Sequence, residues 1–338
     1  MKKQILALAV LALAVACNKD QVVDKITPEA IQFSDVFVEN ATRAAYDGTY
    51  NHSRLKTFEV YGTITNTAGE SANIFNQETV TKSTVENATV WGYDVNNTQY
   101  WLPGNTYNFT AIADGNIDYV TKVTTGQYSM PATIELYDAS QQKDILYVKN
   151  EPYTYTSGEH TVGFTFNHLM SKAKITVKNT ITTDNGYSYK VKDVKITNAA
   201  KAATYTVGTG WGASSDYYTL DFGHIVESSV DANNSPITAE AVEINYNESY
   251  ESNFERLLIP TNVAEGSKTN LTVECTCELY KDDVLIQTTR QPLSTETVLL
   301  AGHAYNFSIS LGNPGSPIKF TVINVNTWDT TNGDVTVR

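Results

Sequence analysis

Apolar side chains in this chain recur at every second position. Past residue 16 no segment repeats them at the i, i+3, i+4, i+7 spacing of an amphipathic helix. The alternating segments are rich in Thr, Val, Tyr and Phe and are broken by Asn, Gly, Asp and Pro, as strands separated by turns would be. Lys56 to Ile64, Tyr107 to Ile112, Val162 to Phe166, Ala173 to Val177 and Leu271 to Tyr280 are clear cases. The last runs into Lys281-Asp282-Asp283 and then Val284 to Thr289, which predicts a β-hairpin with a short polar turn. A parallel sheet would need crossover helices, for which no pattern exists, so the expectation is an all-β chain built as Greek-key β-sandwiches.

With 338 residues the chain is long enough for two cores, and a weak internal repeat points the same way. Leu102-Pro103-Gly104-Asn105-Thr106-Tyr107-Asn108-Phe109 shares its Leu, Gly, Tyr, Asn and Phe, at the same spacing, with Leu300-Ala301-Gly302-His303-Ala304-Tyr305-Asn306-Phe307. Glycine supplies a tight turn, and Tyr and Phe two apart put both rings on one face of the following strand. Each copy marks the last major strand of a sandwich. The expected division is an N-terminal β-sandwich over 44–157 and a C-terminal one over 158–338. The turn-rich Gly312 to Pro317 leads there to an extra strand segment, 318–338.

The first residues set the compartment. A basic start, Met1-Lys2-Lys3, precedes an apolar run from Ile5 to Ala16 of 12 residues. That is too short for a membrane-spanning helix, which needs about 20, and it fits a signal peptide over 1–16. Cys17 follows Ala14-Val15-Ala16 directly, where it reads as the acylated cysteine of a bacterial lipoprotein; residues 17–43 then form a lipidated pro-segment. The formal net charge of −13 argues against nucleic acid or an anionic membrane face as a partner.

Little in the sequence points to catalysis. Cys275 and Cys277 alternate with Glu274, Thr276 and Glu278, so both should face one side of a strand as buried thiols; neighbours at i and i+2 make a poor disulfide. His52, His160, His168, His224 and His303 are scattered without zinc-site spacing, and His168 reads as a turn or junction histidine. The Asp- and Asn-rich turns at 184–186, 231–234 and 332–334 lack the alternating ligands of a calcium loop. No phosphate loop, nucleophile elbow or dinucleotide fingerprint is present, so neither an enzyme nor a cofactor is predicted. The 21 tyrosines fit half-exposed strand faces, and Asp329-Thr330-Thr331 resembles a short O-glycosylation sequon.

The two ends carry the functional signal. Ile31-Gln32-Phe33-Ser34-Asp35-Val36-Phe37-Val38 can be laid on Ile318-Lys319-Phe320-Thr321-Val322-Ile323-Asn324-Val325, with Ile, Phe and the final Val coinciding. Both segments change phase after the Ile-x-Phe, which suits a bulge or bend. Strand recognition rests on edge hydrogen bonds and on alternate side chains in pockets, so the two segments could fill one groove. Ile31, Phe33, Val36 and Val38 would fill it first, and Ile318, Phe320, Ile323 and Val325, with Trp328 beyond, would replace them. Asn40-Ala41-Thr42-Arg43-Ala44-Ala45 offers an exposed basic site for a protease, and a cut between Arg43 and Ala44 would free the first strand. Refilling the groove from another molecule is a heterologous contact that does not close, and so makes fibres.

Taken together, several features resemble the fimbrillins of Bacteroides-type bacteria, type V pilus subunits, in particular the Mfa-like branch. They are Cys17, Ile31-x-Phe33 with Thr42-Arg43-Ala44, Trp101-Leu102-Pro103-Gly104-x-x-Tyr107-x-Phe109 and Asp144-Ile145-Leu146-Tyr147. Further on come Phe164-x-Phe166-x-His168-Leu169-Met170-Ser171-Lys172, Leu257-Leu258-Ile259-Pro260, Gly302-x-x-Tyr305-x-Phe307, and Ile318-x-Phe320 leading to Trp328. The resemblance implies two transthyretin-like sandwiches in series and export to the outer membrane as a lipoprotein. It also implies maturation by an arginine-specific protease after Arg43 and donation of the C-terminal strand to other fimbrial subunits in a head-to-tail polymer, as stalk or tip. It does not name the surface ligand. The competing reading is a monomeric surface lipoprotein that binds glycans for nutrient uptake, for which paired terminal strands and Arg43 have no use; a surface hydrolase on an all-β scaffold is a third.

Overall fold

A computed structural model of the chain describes residues 28–38, 55–85, 88–113, 121–214, 216–227, 240–260 and 268–327. The architecture is all-β. The strands are β1 (Gln32–Val38), β2 (Thr57–Thr65), β3 (Ser71–Val85), β4 (Ala88–Gly92), β5 (Thr106–Ala113), β6 (Thr121–Thr125), β7 (Pro131–Leu136) and β8 (Leu146–Lys149). There follow β9 (Tyr153–Thr154), β10 (Thr161–His168), β11 (Ser171–Asn179), β12 (Tyr187–Thr206), β13 (Gly210–Trp211), β14 (Asp216–Gly223), β15 (Ile225–Val226) and β16 (Glu243–Ile244). The chain continues through β17 (Ser249–Ser252), β18 (Arg256–Leu258), β19 (Thr269–Lys281), β20 (Val284–Thr297), β21 (His303–Leu311) and β22 (Lys319–Thr327).

The first body is a ring of hydrogen-bonded strands in the order β2-β3-β4-β1-β10-β8-β5, with β5 returning to β2 and the short β9 lying beside β5. Its interior is aromatic: Phe33, Phe58, Phe75, Phe109, Phe164, Phe166, Trp91 and Trp101 are all buried. The period-two pattern produces this directly, because alternate residues of β10 are exposed and buried along its whole length. Gly62 on β2 pairs with Phe75 and Phe109 on its two neighbours. A Cβ there would lie 3.0 and 3.1 Å from those rings, so the fit of the rings requires the missing side chain.

Two further sheets build the second body. In one, β11 lies between β21 and β17, and β22 forms the outer edge beyond β21. In the other, β19 lies between β20 and the first half of the 20-residue β12. Between them sits an aliphatic core that includes Ile175, Val177, Val191, Ile196, Val273, Phe307 and Ile309. The far end of β12, Ala203 to Thr206, pairs with β7 instead, so one strand ties the two halves of the chain together. A separate core fills the junction, with Tyr61, Ile112, Ile145, Leu169, Met170, Trp211 and Leu257, and the Trp211 indole N–H donates to the Leu169 carbonyl at 2.6 Å.

One strand beyond the division expected at 157/158 pairs with strands that precede it. β10 joins the ring through β1 and β8, and its Val162, Phe164 and Phe166 fill the first core. The next residues, Leu169 and Met170, belong to the junction core. Alternation identified β10 as a strand, but alternation alone does not say which sheet a strand completes.

Both copies of the internal repeat fold alike. The Leu102 and Leu300 N–H groups each donate 2.7 Å to the hydroxyl of the tyrosine five residues on, Tyr107 and Tyr305. Gly104 and Gly302 carry positive φ angles of 81° and 67°, which the turn needs and glycine permits. In each copy the Tyr and Phe rings stack, 6.2 Å apart in the first and 6.1 Å in the second.

Candidate functional site

The ring is closed by its N-terminal strand. β1 runs parallel to β10 over six residue pairs, from Gln32 with Thr161 to Val38 with Phe166, and meets β4 through Phe33 and Trp91. Ile31, Phe33 and Val36 point inward and are buried. Phe33 is the hub: its ring lies 5.6 Å from Phe75, 5.7 Å from Tyr93 and 5.8 Å from Phe164, the last in a stacked arrangement. The expected change of phase falls at Asp35, where the register with β10 shifts and φ is 47°; this bulge is what turns Val36 inward after Phe33. Phe37 faces out, 48% exposed.

A second set of contacts holds the chain just before the strand, and no sequence pattern announced it. The Glu29 carboxylate accepts the His160 backbone N–H at 2.9 Å and the Tyr155 hydroxyl at 3.2 Å. The Glu29 carbonyl accepts from the Trp101 N–H, and the Ile31 N–H donates to the Gln99 carbonyl, both at 2.8 Å. The Tyr93 hydroxyl reaches the Ile31 carbonyl at 2.9 Å. Around this clasp Trp101 stacks on Tyr155, its indole N–H donates to the His160 carbonyl, and the His160 ring stacks on Tyr153. Because its partners lie about 130 positions downstream, Glu29 had no local signal.

The C-terminal segment sits on its own chain. β22 pairs antiparallel with β21, from Ser310 with Lys319 to His303 with Thr327. Phe320 is buried with its ring 5.7 Å from Phe307, while Ile318, Val322 and Val325 pack half-buried on the same core. Ile323 is 47% exposed, at the point where the register with β21 shifts. The irregularities of β1 and β22 thus fall one residue apart when Ile31-x-Phe33 is laid on Ile318-x-Phe320. Cys17, Arg43, Ala44 and Trp328 lie outside the described residues, and so does the side chain of Val38.

Other singled-out residues have structural surroundings. Cys275 and Cys277 are buried free thiols with sulfurs 3.5 Å apart on one face of β19. Contact with Cys275 and burial both push the Cys277 thiol up, away from reactivity. His168 closes β10 at the junction, where its Nδ1 meets the buried Asp144 carboxylate. Among the described residues no cluster of three or more His, Cys, Asp or Glu side chains could hold a metal ion.

Comparison with known proteins bears on this architecture. A family model described as fimbrillin-like matches residues 42–328. The fold is similar to a fimbrial protein from Bacteroides vulgatus, with a TM-score of 0.62 at 17% identity over 88% of this chain and 99% of that one. The fimbrial anchor protein Mfa2 from Porphyromonas gingivalis aligns with a TM-score of 0.36 at 10% identity over 89% of this chain and 98% of that one. No curated protein matches in sequence. With the family model running from before the first ring strand after β1 to the end of β22, the chain belongs to the fimbrillin-like family.

Proposed function

We propose that this chain is a structural and adhesive subunit, stalk or tip, of a cell-surface fimbria. It is exported as a lipoprotein acylated at Cys17, matured by a cut after Arg43, and polymerised when the C-terminal strand of one copy fills the groove left by β1 of the next. The observation that carries this reading is the position of β1, an N-terminal strand whose buried Ile31, Phe33 and Val36 close the first ring. Its side chains contribute on the order of 5–9 kcal/mol by burial, and ordering a seven-residue strand costs a comparable amount. While the chain is whole, the connection through residues 39–54 keeps the strand at high effective concentration. Once cut, it is exchangeable. Its departure exposes an aromatic groove and opens the edges of β4 and β10, which are liabilities until another strand pairs with them.

The terminal strand suits the exchange. β22 lies at a sheet edge, bonded to β21 on one side, so it can leave without breaking into the sheet. The reading assigns no catalysis to the chain and leaves the adhesion ligand open.

Treatment of the purified, unlipidated precursor with an arginine-specific protease tests this. Intact mass should locate a single cut after Arg43, and size-exclusion chromatography should then reveal growing oligomers that disappear when residues 318–338 are deleted. A cut product that stays monomeric and binds glycans would favour the monomeric surface lipoprotein instead.

A further inference from the structure

The clasp at Glu29 lies outside the strand groove, and the two segments expected to share that groove differ there. In the alignment of Ile31-x-Phe33 with Ile318-x-Phe320, Glu29 falls opposite Ser316 and Ala30 opposite Pro317. The leader therefore brings a carboxylate to the Tyr155 hydroxyl and the His160 N–H, and the C-terminal segment brings none. Hydrogen bonds to an ionised group are roughly twice as strong as neutral ones. At its other end β1 is held differently: Asp35 interrupts the register, and Phe37 is exposed. The leader is thus clasped through a carboxylate at its N-terminal end, whereas past the bulge it runs on beside β10 to Val38, next to the cut.

We propose that the Glu29 clasp is a retention latch. It keeps the cleaved pro-segment seated until an incoming strand has displaced it from the Val38 end, and it discriminates leader from donor. Displacement then runs in one direction: the incoming strand engages first beside Phe166, advances past the bulge, and meets Glu29 last. This avoids an open groove between cutting and assembly, because the leader departs as its replacement arrives. The inference rests on the strand-exchange reading above.

Two arms of one experiment test it. Cleaved wild-type chain, Glu29→Gln and Tyr155→Phe are followed by size exclusion and mass for release of the pro-segment in the absence of assembly. The latch predicts release roughly tenfold faster in Glu29→Gln and a smaller rise in Tyr155→Phe, which keeps the His160 N–H on the carboxylate; the double variant should fall short of the two effects combined, because the Tyr155–Glu29 contact is shared. Melting of the uncut variants separates general instability from loss of the latch, since the tether holds β1 in place there. In the second arm, a synthetic peptide of residues 314–338 competes with its Ser316→Glu form for the cleaved ring, and the glutamate form should bind more tightly. Release unchanged by Glu29→Gln, or additive effects of the two substitutions, would overturn the latch; equal peptide affinities would overturn its discrimination of leader from donor. Oligomers still forming in those cases would leave the strand-exchange reading intact, whereas wild-type chains that are cut and never assemble would remove it.

Discussion

Phe33 concentrates more of the ring's interior than any other residue of the N-terminal segment, touching five aromatic neighbours, on β2, β3, β5 and β10 and on the turn after β4. Phe33→Ala should cost the uncut chain about 3–5 kcal/mol, since the surrounding rings can collapse only partly into the space; urea unfolding followed by tryptophan fluorescence reads it. Ile323 provides the opposite case. It is half-exposed on β22, so Ile323→Asp should shift monomer stability by less than about 1 kcal/mol. In the groove Ile323 corresponds to Val36, which is buried, so the same substitution should abolish oligomer formation after cleavage. A variant that melts normally and assembles normally would exclude Ile323 from the interface. Sequence made both residues visible, because Ile-x-Phe followed by a phase change is a local pattern. It could not reveal Glu29, whose partners Tyr155 and His160 are brought to it only by ring closure, nor the pairing of His168, the last residue of β10, with Asp144 just before β8.

At the level of elements, the alternating pattern was enough to identify strands but not their partners. Cys275 and Cys277 behave as spacing alone dictates, on one buried face of β19. β10 does not: Val162, Phe164 and Phe166 have the same pattern whichever core they enter, and a parallel partner that precedes them by about 130 residues, β1, decides it. β12 is a similar case, since no break in its sequence marks where it passes from β19 to β7; its register shifts near Val194 and Ala200 let one strand serve both bodies. The ring makes a direct prediction about β1 as an element. A chain starting at Ala44 should be markedly less stable than the precursor. A synthetic peptide covering residues 28–38 should restore most of the loss, with protection from hydrogen exchange returning at β4 and β10. Peptide with Phe33 replaced by Asp should restore none of it.

Over the whole molecule, buried tyrosines couple stability to alkaline pH. Burial raises Tyr107, Tyr189 and Tyr205, and pushes Tyr305 and Tyr147 up to about 12. In the unfolded chain these phenols ionise near 10. A folded value above the unfolded one means that the contribution is fully present below pH 10 and is lost as pH rises through about 12. Of the 21 tyrosines, a buried fraction should therefore contribute phenolate absorbance only as the chain unfolds at high pH. Titration of the full complement before any unfolding would mean that these hydroxyls are accessible.

On the strand-exchange proposal, the terminal strand of another copy takes the place of β1. The most direct measurement mixes isotopically light and heavy precursors, cuts them, lets them assemble, and cross-links the products through amines for mass spectrometry. Lys319 on β22 and Lys82 and Lys149 on the ring supply the reactive groups. The account predicts mixed light–heavy cross-links from Lys319 to the ring lysines, in the assembled fraction alone. Assemblies in which Lys319 reports only neighbours of β21 in its own copy would contradict it.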